Sequence, residues 1–210
     1  MTIDRRIRKS QVAMRNAFIE LLHQHQLEEI TVQQIADLAD VNRSTFYTHY
    51  YDKYDLLEKL EDQQLEEIRD FIHDEKLNGA VKLSTDNIHQ IMTVLIEMIE
   101  KDIAFYQLMF RMGKDSNIHE KLYDLIMCHL QRYKNENDQI NGIPFSYFMS
   151  YVSGAGLSLI RHWVEDPNRI DKVDLIRHFN TIVNQGPATI IKNIKKKKAS
   201  HELRVACLAK

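Results

Sequence analysis

The sequence predicts an all-α fold: a small N-terminal three-helix domain followed by a C-terminal helical bundle, about nine helices in total. Three observations predict it. Apolar residues recur at helical spacing along most of the chain, and no stretch sustains period-two alternation. Only six Gly and three Pro occur, with every Pro after residue 143, too few turn residues for a sandwich of short strands. With 44% apolar and 28% charged residues, the 210-residue chain can bury a core and is not expected to be disordered as a whole.

The first helix is marked by Met14, Ala17, Phe18, Leu21 and Leu22, one apolar face at i, i+3, i+4, i+7 and i+8. Thr31-Val-Gln-Gln34 has the form of a capping box. It opens a short helix over 31–39 in which Ile35 and Leu38 face inward beside the small Ala36 and Ala39. Asp40-Val41-Asn42 breaks that helix. Asp and Asn tolerate left-handed backbone and cap a following helix, and Val41 plugs the angle between the two. A second short helix is expected over 43–50, with Phe46 and Tyr50 sharing one face. After Tyr51-Asp52-Lys53, a long helix covers about 54–73, apolar at Leu56, Leu57, Leu60, Leu65, Ile68, Phe71 and Ile72, with a polar gap at Glu61 to Gln64. Residues 77–81 read as a loop. Further helices are expected over 86–101, 103–111, 118–135, 145–164 and 172–185, separated by segments rich in Gly, Pro, Asn and Asp.

The charge is uneven. The net value is −2, yet residues 192–210 carry seven Lys+Arg against one Glu, and the first sixteen residues carry five against one Asp. Basic ends on an acidic body suggest contact with a polyanion at particular places. Cys128 reads as a buried small hydrophobe and Cys207 as a tail thiol. Two cysteines form no disulfide framework, and no apolar segment stands near the start, so a cytoplasmic setting is expected. The 16 uncharged residues 145–160 are too few and too polar for a membrane span. No metal-ligand spacing and no nucleophile–base arrangement is found, so neither cofactor nor enzymatic activity is expected.

Two short helices joined by a tight turn, between longer ones, form a helix-turn-helix pattern. The second must pack on one face and carry hydrogen-bonding side chains on the other to lie in a major groove of double-stranded DNA. Arg43 suits guanine O6/N7, and Thr45 and Thr48 suit a thymine methyl or a base edge, beside Ser44. Tyr47, His49 and Lys53 suit phosphate oxygens, with Thr31 at the start of the preceding helix. Arg5, Arg6, Arg8 and Lys9 are expected ahead of the first helix, tracking the DNA backbone or minor groove.

The segment from Ile30 to Leu57 resembles the DNA-binding domain of tetracycline-repressor (TetR) type regulators. The family pattern is a Thr opening helix two, an Ile-Ala pair, a small-residue turn, Thr-hydrophobic-Tyr, an aromatic three residues on, and a Lys before an acidic-Leu pair. Thr31, Ile35-Ala36, Thr45-Phe46-Tyr47, Tyr50, Lys53 and Asp55-Leu56 occupy those places. The resemblance covers residues about 8 to 57. Asp40 stands where the family usually has Gly, and a modest stability cost is expected there.

The resemblance implies a homodimeric regulator whose C-terminal domain holds the dimer interface and a small-molecule effector cavity, most simply a repressor released from a palindromic operator by an apolar or amphipathic ligand. The expected divisions are a DNA-binding domain over 1–53, a ligand-binding and dimerisation domain over 54–190, and a basic tail over 191–210. Candidate cavity residues are Phe105, Tyr106, Met109, Tyr123, Met127, Phe148, Tyr151 and Trp163, a Met and aromatic set that adapts to apolar ligands. Ser150, Gly154 and Ser158, four apart, permit close helix approach and mark a candidate dimer contact. The alternative is a helical protein–protein interaction regulator without operator binding, because residues 1–55 carry seven Lys+Arg against eight Asp+Glu.

Overall fold

Helix α1 (Thr2–Gln24) buries the face its spacing predicts, with Met14, Ala17, Phe18, Leu21 and Leu22 in the core. The computed structural model describes the backbone of residues 2–73 and 85–208 and the side chains of residues 6–70 and 89–192. The 77–81 loop, and the side chains of Arg5, Phe71, Ile72, Lys195 to Lys198 and Cys207, lie outside the described residues. A 3-10 turn (Leu27–Glu29) leads to α2 (Val32–Leu38). The capping box is present: Thr31 Oγ1 accepts from the Gln34 amide at 3.2 Å, and the Thr31 amide donates to Gln34 Oε1 at 2.7 Å. Ile35 and Ala36 are buried, but Leu38, expected inward, is exposed. The inward stripe is Val32, Ile35, Ala36 and Ala39, and at about 100° per residue Leu38 falls well off its centre.

The turn between α2 and α3 (Arg43–Tyr47) is made by Asp40 in the left-handed conformation, φ 51°. Val41 packs against the core beneath it. Asn42 caps α3, its Oδ1 accepting from the Ser44 amide at 2.8 Å. Helix α3 is shorter than the predicted 43–50. Thr48 Oγ1 turns back onto the Thr45 carbonyl at 2.6 Å, and the chain leaves regular helix while still delivering Tyr50 to the core beside Phe46. Helix α4 (Lys53–His73) starts where Asp52 Oδ1 accepts from the amides of Tyr54 and Asp55, each at 2.9 Å. Leu56, Leu57, Leu60, Leu65 and Ile68 form its buried face. The polar gap is only partly one: Glu61 is fully buried.

The C-terminal part contains α5 (Thr85–Lys101), α6 (Ile103–Met112), α7 (Ile118–Leu130), α8 (Phe145–Glu165) and α9 (Lys172–Leu208), giving nine α-helices among the described residues. Gly186, φ 71°, interrupts α9 where Pro187 follows. Helix α7 ends before the predicted residue 135, and a 3-10 turn (Gln131–Tyr133) follows it. A two-stranded hairpin that the periodicity did not reveal comes next: β1 (Gln139–Ile140) pairs with β2 (Ile143–Pro144) around Asn141 and Gly142, φ 49° and 82°. Positive φ at both turn residues is the geometry Asn-Gly supplies. Helix α4 packs on α5 and α7, α8 on α6 and α7, and α9 on α5. One apolar core runs from α1 through α4 into the bundle, and a smaller cluster gathers around Leu130, Phe145 and Met149. No helix among the described residues is long and apolar enough to cross a membrane.

Left-handed backbone costs a residue with a Cβ about 1 kcal/mol, less for Asp than for a β-branched residue. Asp40→Gly is therefore expected to raise stability by roughly 0.5–1 kcal/mol, and Asp40→Val to lower it by more than that. Chemical denaturation read by circular dichroism checks both.

Candidate functional site

Helix α3 separates its side chains by chemistry. Phe46 and Tyr50 are buried, while Arg43, Ser44, Tyr47 and Thr48 are exposed, with Thr45 and His49 half-buried at the flanks. The Arg43 guanidinium donates to Tyr47 Oη at 3.0 Å and lies 5.5 Å from that ring's centroid. Phe46 supports Tyr47 from below in an edge-on contact, centroids 5.6 Å apart. The result is a rigid platform of one cation, one phenol and two hydroxyl side chains, one turn and a half long. Thr31, the cap of α2, is exposed next to it in sequence order. Tyr51, 85% exposed, and the exposed Tyr54 extend the same segment with two further phenols. Arg6, Arg8 and Lys9 are exposed, but they ride on α1, which begins at Thr2, and do not form an arm ahead of it.

Lys53 occupies a different place from the one expected of a phosphate ligand. Its ammonium donates to three carbonyls, Leu27 O at 2.7 Å, Glu28 O at 2.8 Å and Ile30 O at 2.7 Å. Each proton has an acceptor, so the side chain braces the start of α4 against the turn that precedes α2. The acids of this region do not pack inward. Glu29 and Asp52 accept from backbone amides, and Asp55 accepts from the Tyr51 amide and pairs with Lys59 at 2.9 Å. That pairing holds the Asp55 carboxyl below the usual range, although its partial burial works the other way.

Helix α4 is tied to the bundle through Glu61. Its Oε1 accepts from Ser116 Oγ at 2.7 Å and from the Asn117 amide at 2.9 Å, and its Oε2 lies 3.2 Å from Lys121 Nζ. Lys121 also meets Asp62 at 2.9 Å. At the far end of α7, an apolar cavity of about 50 Å³ lies between α5, α7, α8 and α9, lined by Met92, Leu95, Ile126, His129, Gly156 and Phe179 among others.

Comparison with known proteins gives these features a family. Residues 16–60 match the family described as bacterial regulatory proteins, tetR family, and residues 86–185 match a family described as transcriptional regulator C-terminal region, in its TetR form. The chain belongs to the TetR family of transcriptional regulators. Over 71 residues it is 34% identical to an uncharacterised helix-turn-helix regulator, YxbF, of Bacillus subtilis, a match that spans 33% of this chain and 19% of that protein. A TetR transcriptional regulator from Streptococcus agalactiae superposes with a TM-score of 0.60 at 24% identity, covering 87% of this chain and 98% of that one. A Clostridium perfringens putative fatty acid metabolism regulator reaches 0.64 at 16% identity, covering 83% and 97%. Thermus thermophilus FadR, a TetR-family repressor solved with lauroyl-CoA, reaches 0.56 at 18%, covering 84% and 94%. At these identities the structural likenesses establish the fold.

Within this TetR-family chain the residues first considered for an effector cavity do not line the one observed. Phe105, Tyr106, Met109 and Trp163 are close-packed in the main core, and the Trp163 indole donates to the Ile170 carbonyl at 2.8 Å, pinning the connection from α8 to α9. Burial, with the Asp102 and Glu67 carboxylates adding to it, pushes the Tyr106 phenol up. Tyr123, Met127 and Phe148 fill the smaller cluster. Tyr151 is 67% exposed, on the same outer side of α8 as Ser150, Gly154 and Ser158. Cys128, expected inside, is exposed. His129 was missed. It is a lone imidazole one turn beyond Leu125 and Ile126 on an apolar helix, and that interruption was its only signal.

Two outcomes follow from this geometry. Lys53→Met leaves three carbonyls without their donor and is expected to cost about 2 kcal/mol. Tyr47→Ala, on the exposed face, is expected to change stability by less than about 0.5 kcal/mol. Urea melts of the two variants separate the brace from the platform. Burial, reinforced by nearby Arg132, lowers the His129 pKa from 6.5 to about 4. The folded state therefore keeps a neutral imidazole while the unfolded chain binds a proton below pH 6.5. Stability from this group is full above pH 6.5 and falls as the pH drops towards 4, by about 3 kcal/mol in all. His129→Leu should remove that component, visible as a smaller loss of melting temperature than wild type between pH 6.5 and 4.5.

Proposed function

We propose that this TetR-family regulator binds a palindromic operator as a homodimer, acts as a repressor in the cytoplasm, and releases DNA when a small molecule occupies the C-terminal domain. The observation that carries the reading is the division of α3, apolar anchors inward and Arg43, Ser44, Tyr47 and Thr48 outward. A recognition helix needs that division. Arg43 reads a guanine edge and Tyr47 holds it in position, while Thr45, Thr48 and His49 flank the base and phosphate contacts and Thr31 meets the backbone. Lys53 acts through the fold, by fixing where α3 stands.

The outer side of α8 supports dimerisation. Tyr147 and Tyr151 are 74% and 67% exposed there, beside Ser150, Gly154 and Ser158, and a Cβ at Gly154 would meet nothing within 4 Å. Ile182 and Val183 of α9 are also exposed. Aromatic and aliphatic side chains beside small residues permit close helix-on-helix approach between two copies. Two-fold symmetry would then set the recognition helices about 34–36 Å apart, one turn of B-form DNA. The tie from Glu61 to α7 supports coupling between the cavity and the reading head.

A gel shift on the DNA flanking the gene tests this. Specific binding to a near-palindrome is expected, with an affinity that falls steeply as salt rises. Arg43→Ala should cost about 1–3 kcal/mol of binding and relax the preference at one base pair in each half-site. Tyr47→Ala should weaken binding to every sequence. Specific binding unchanged in the double variant overturns the site. A stable protein partner combined with no sequence preference among random duplexes overturns the DNA-binding reading itself.

A further inference from the structure

The exposed face of α3 carries a single cation, Arg43. The rest of the helix-turn-helix is acidic, for residues 20–55 hold seven Asp and Glu against two cations, Arg43 and Lys53. The Lys53 ammonium already has three carbonyl acceptors, and the next cation along the chain, Lys59, pairs with Asp55 at 2.9 Å. A DNA duplex presents one negative charge per about 1.7 Å of its axis. Left to residues 20–55, the head would repel the polyanion that α3 has to enter.

The amino half of α1 reverses the balance. Residues 5–19 hold five cations and no acid. Arg15 reaches Gln63 of α4, whereas Arg6, Arg8 and Lys9 are exposed and have no acidic partner among the described residues. Met14 is the first buried residue of α1 among those described, so about 18 Å of helix precedes the packed part. Direction matters as much as charge. The carboxyl end of α1, at Leu22 and His23, borders a groove with Arg111, Met112 and Asp115 of the bundle. The amino end of so long a rod therefore points away from the bundle. Helix α3 also stands away from it, ahead of the start of α4, while Glu61 further along α4 meets Ser116 and Asn117.

We propose that the amino half of α1 is a second DNA-contacting surface, on which Arg6, Arg8 and Lys9 each meet a phosphate of the duplex while α3 occupies the major groove; this rests on the DNA-binding reading. The contact is with the sugar-phosphate backbone. A helix with its side chains is about 10–12 Å across, and the minor groove is about 6 Å wide, so cations riding on a helix stay at the rim and do not reach base edges. Phosphate contacts position a protein and carry no sequence information. The two surfaces then divide the work. Helix α3 chooses the sequence with one cation and several hydroxyls, and α1 supplies the attraction that Lys53, engaged with its three carbonyls, does not. The acids of residues 20–55 sharpen the arrangement, because a placement that engages the head without α1 is repelled.

The test measures operator affinity and random-duplex affinity of the full-length protein from 50 to 200 mM salt. Each phosphate contact adds about 0.9 to the slope of log K against log salt. Arg6→Gln, Arg8→Gln and Lys9→Gln combined should flatten that slope by about 2.7 per head and lower affinity at least about tenfold, with the ratio of operator to random binding unchanged. Gln is a good helix former at exposed positions, and an unchanged helical spectrum confirms that the fold is kept. Arg43→Ala is expected to do the converse, lowering that ratio with a slope change of about one. Arg6→Lys with Arg8→Lys, which keeps both charges, should retain the slope. As a control for net charge, Lys101→Gln, Lys134→Gln and Lys172→Gln combined remove three exposed cations from the bundle and should leave the slope unchanged. A wild-type slope in the triple glutamine variant, an equal loss in the bundle control, or loss of the slope in the lysine variant overturns the α1 surface while leaving DNA binding by α3 standing. A wild-type protein that binds no duplex at any salt concentration overturns both readings.

Discussion

A carboxylate with no solvent exposure sits in the middle of the helix that joins the two halves of the molecule. Burying Glu61 is costly unless its oxygens are paired, and the bundle supplies a serine hydroxyl, a backbone amide and a lysine ammonium, all from Ser116 to Lys121 at the start of α7. The attraction is specific in a way that apolar packing is not. Leucines on α4 would tolerate sliding against α7 by a fraction of a turn, but a carboxylate with three fixed partners has one register. Breaking such an arrangement by removing a single partner typically costs about 3–5 kcal/mol, so the register is held firmly. It follows that α4 and α7 move together.

The start of α4 obeys the same logic with the charges reversed. Lys53 places one ammonium against three carbonyls of the segment leading into α2, and Arg15 of α1 reaches Gln63 on α4. The reading head is therefore attached to α4 by directional bonds at its base and by the apolar contacts of Phe46 and Tyr50 above. Directional bonds at its start and at its middle fix the position of α4. The position of α4 is thus set by directional contacts to both α1 and α7 as well as by apolar packing.

Most of the architecture was legible because helical spacing is a strong signal over ten or more residues, and α1, α4, α5 and α8 all extend that far. The capping box at Thr31, the left-handed Asp40 and the Asn42 cap were legible for a different reason: each is local chemistry between neighbours in sequence. What escaped depended on distant partners or on very short elements. The strands around Asn141-Gly142 are two residues each, too short for alternation to register, although the turn dipeptide itself was a signal. Helix α3 stopped early because Thr48 bonds back to the Thr45 carbonyl, a choice that propensity does not reveal. Tyr151 and Cys128 were placed inside on composition, but each falls on an outward position of its helix.

Glu61 falls in what the spacing shows as a polar gap, and no spacing singles out His129. A carboxylate within a helical pattern is ordinarily solvent-facing, and a single histidine on an apolar face is ordinarily a satisfied core residue. Both expectations hold where a helix has one task. Here Glu61 is buried because Ser116, Asn117 and Lys121, on a segment that begins 55 residues further on, supply its partners, and His129 is buried with no hydrogen-bond partner among the described residues; neither is visible in the local pattern. Glu61 meets α7 at that helix's N-terminal end, through Asn117 and Lys121, and His129 lies near the C-terminal end of the same 13 residues, about 20 Å long.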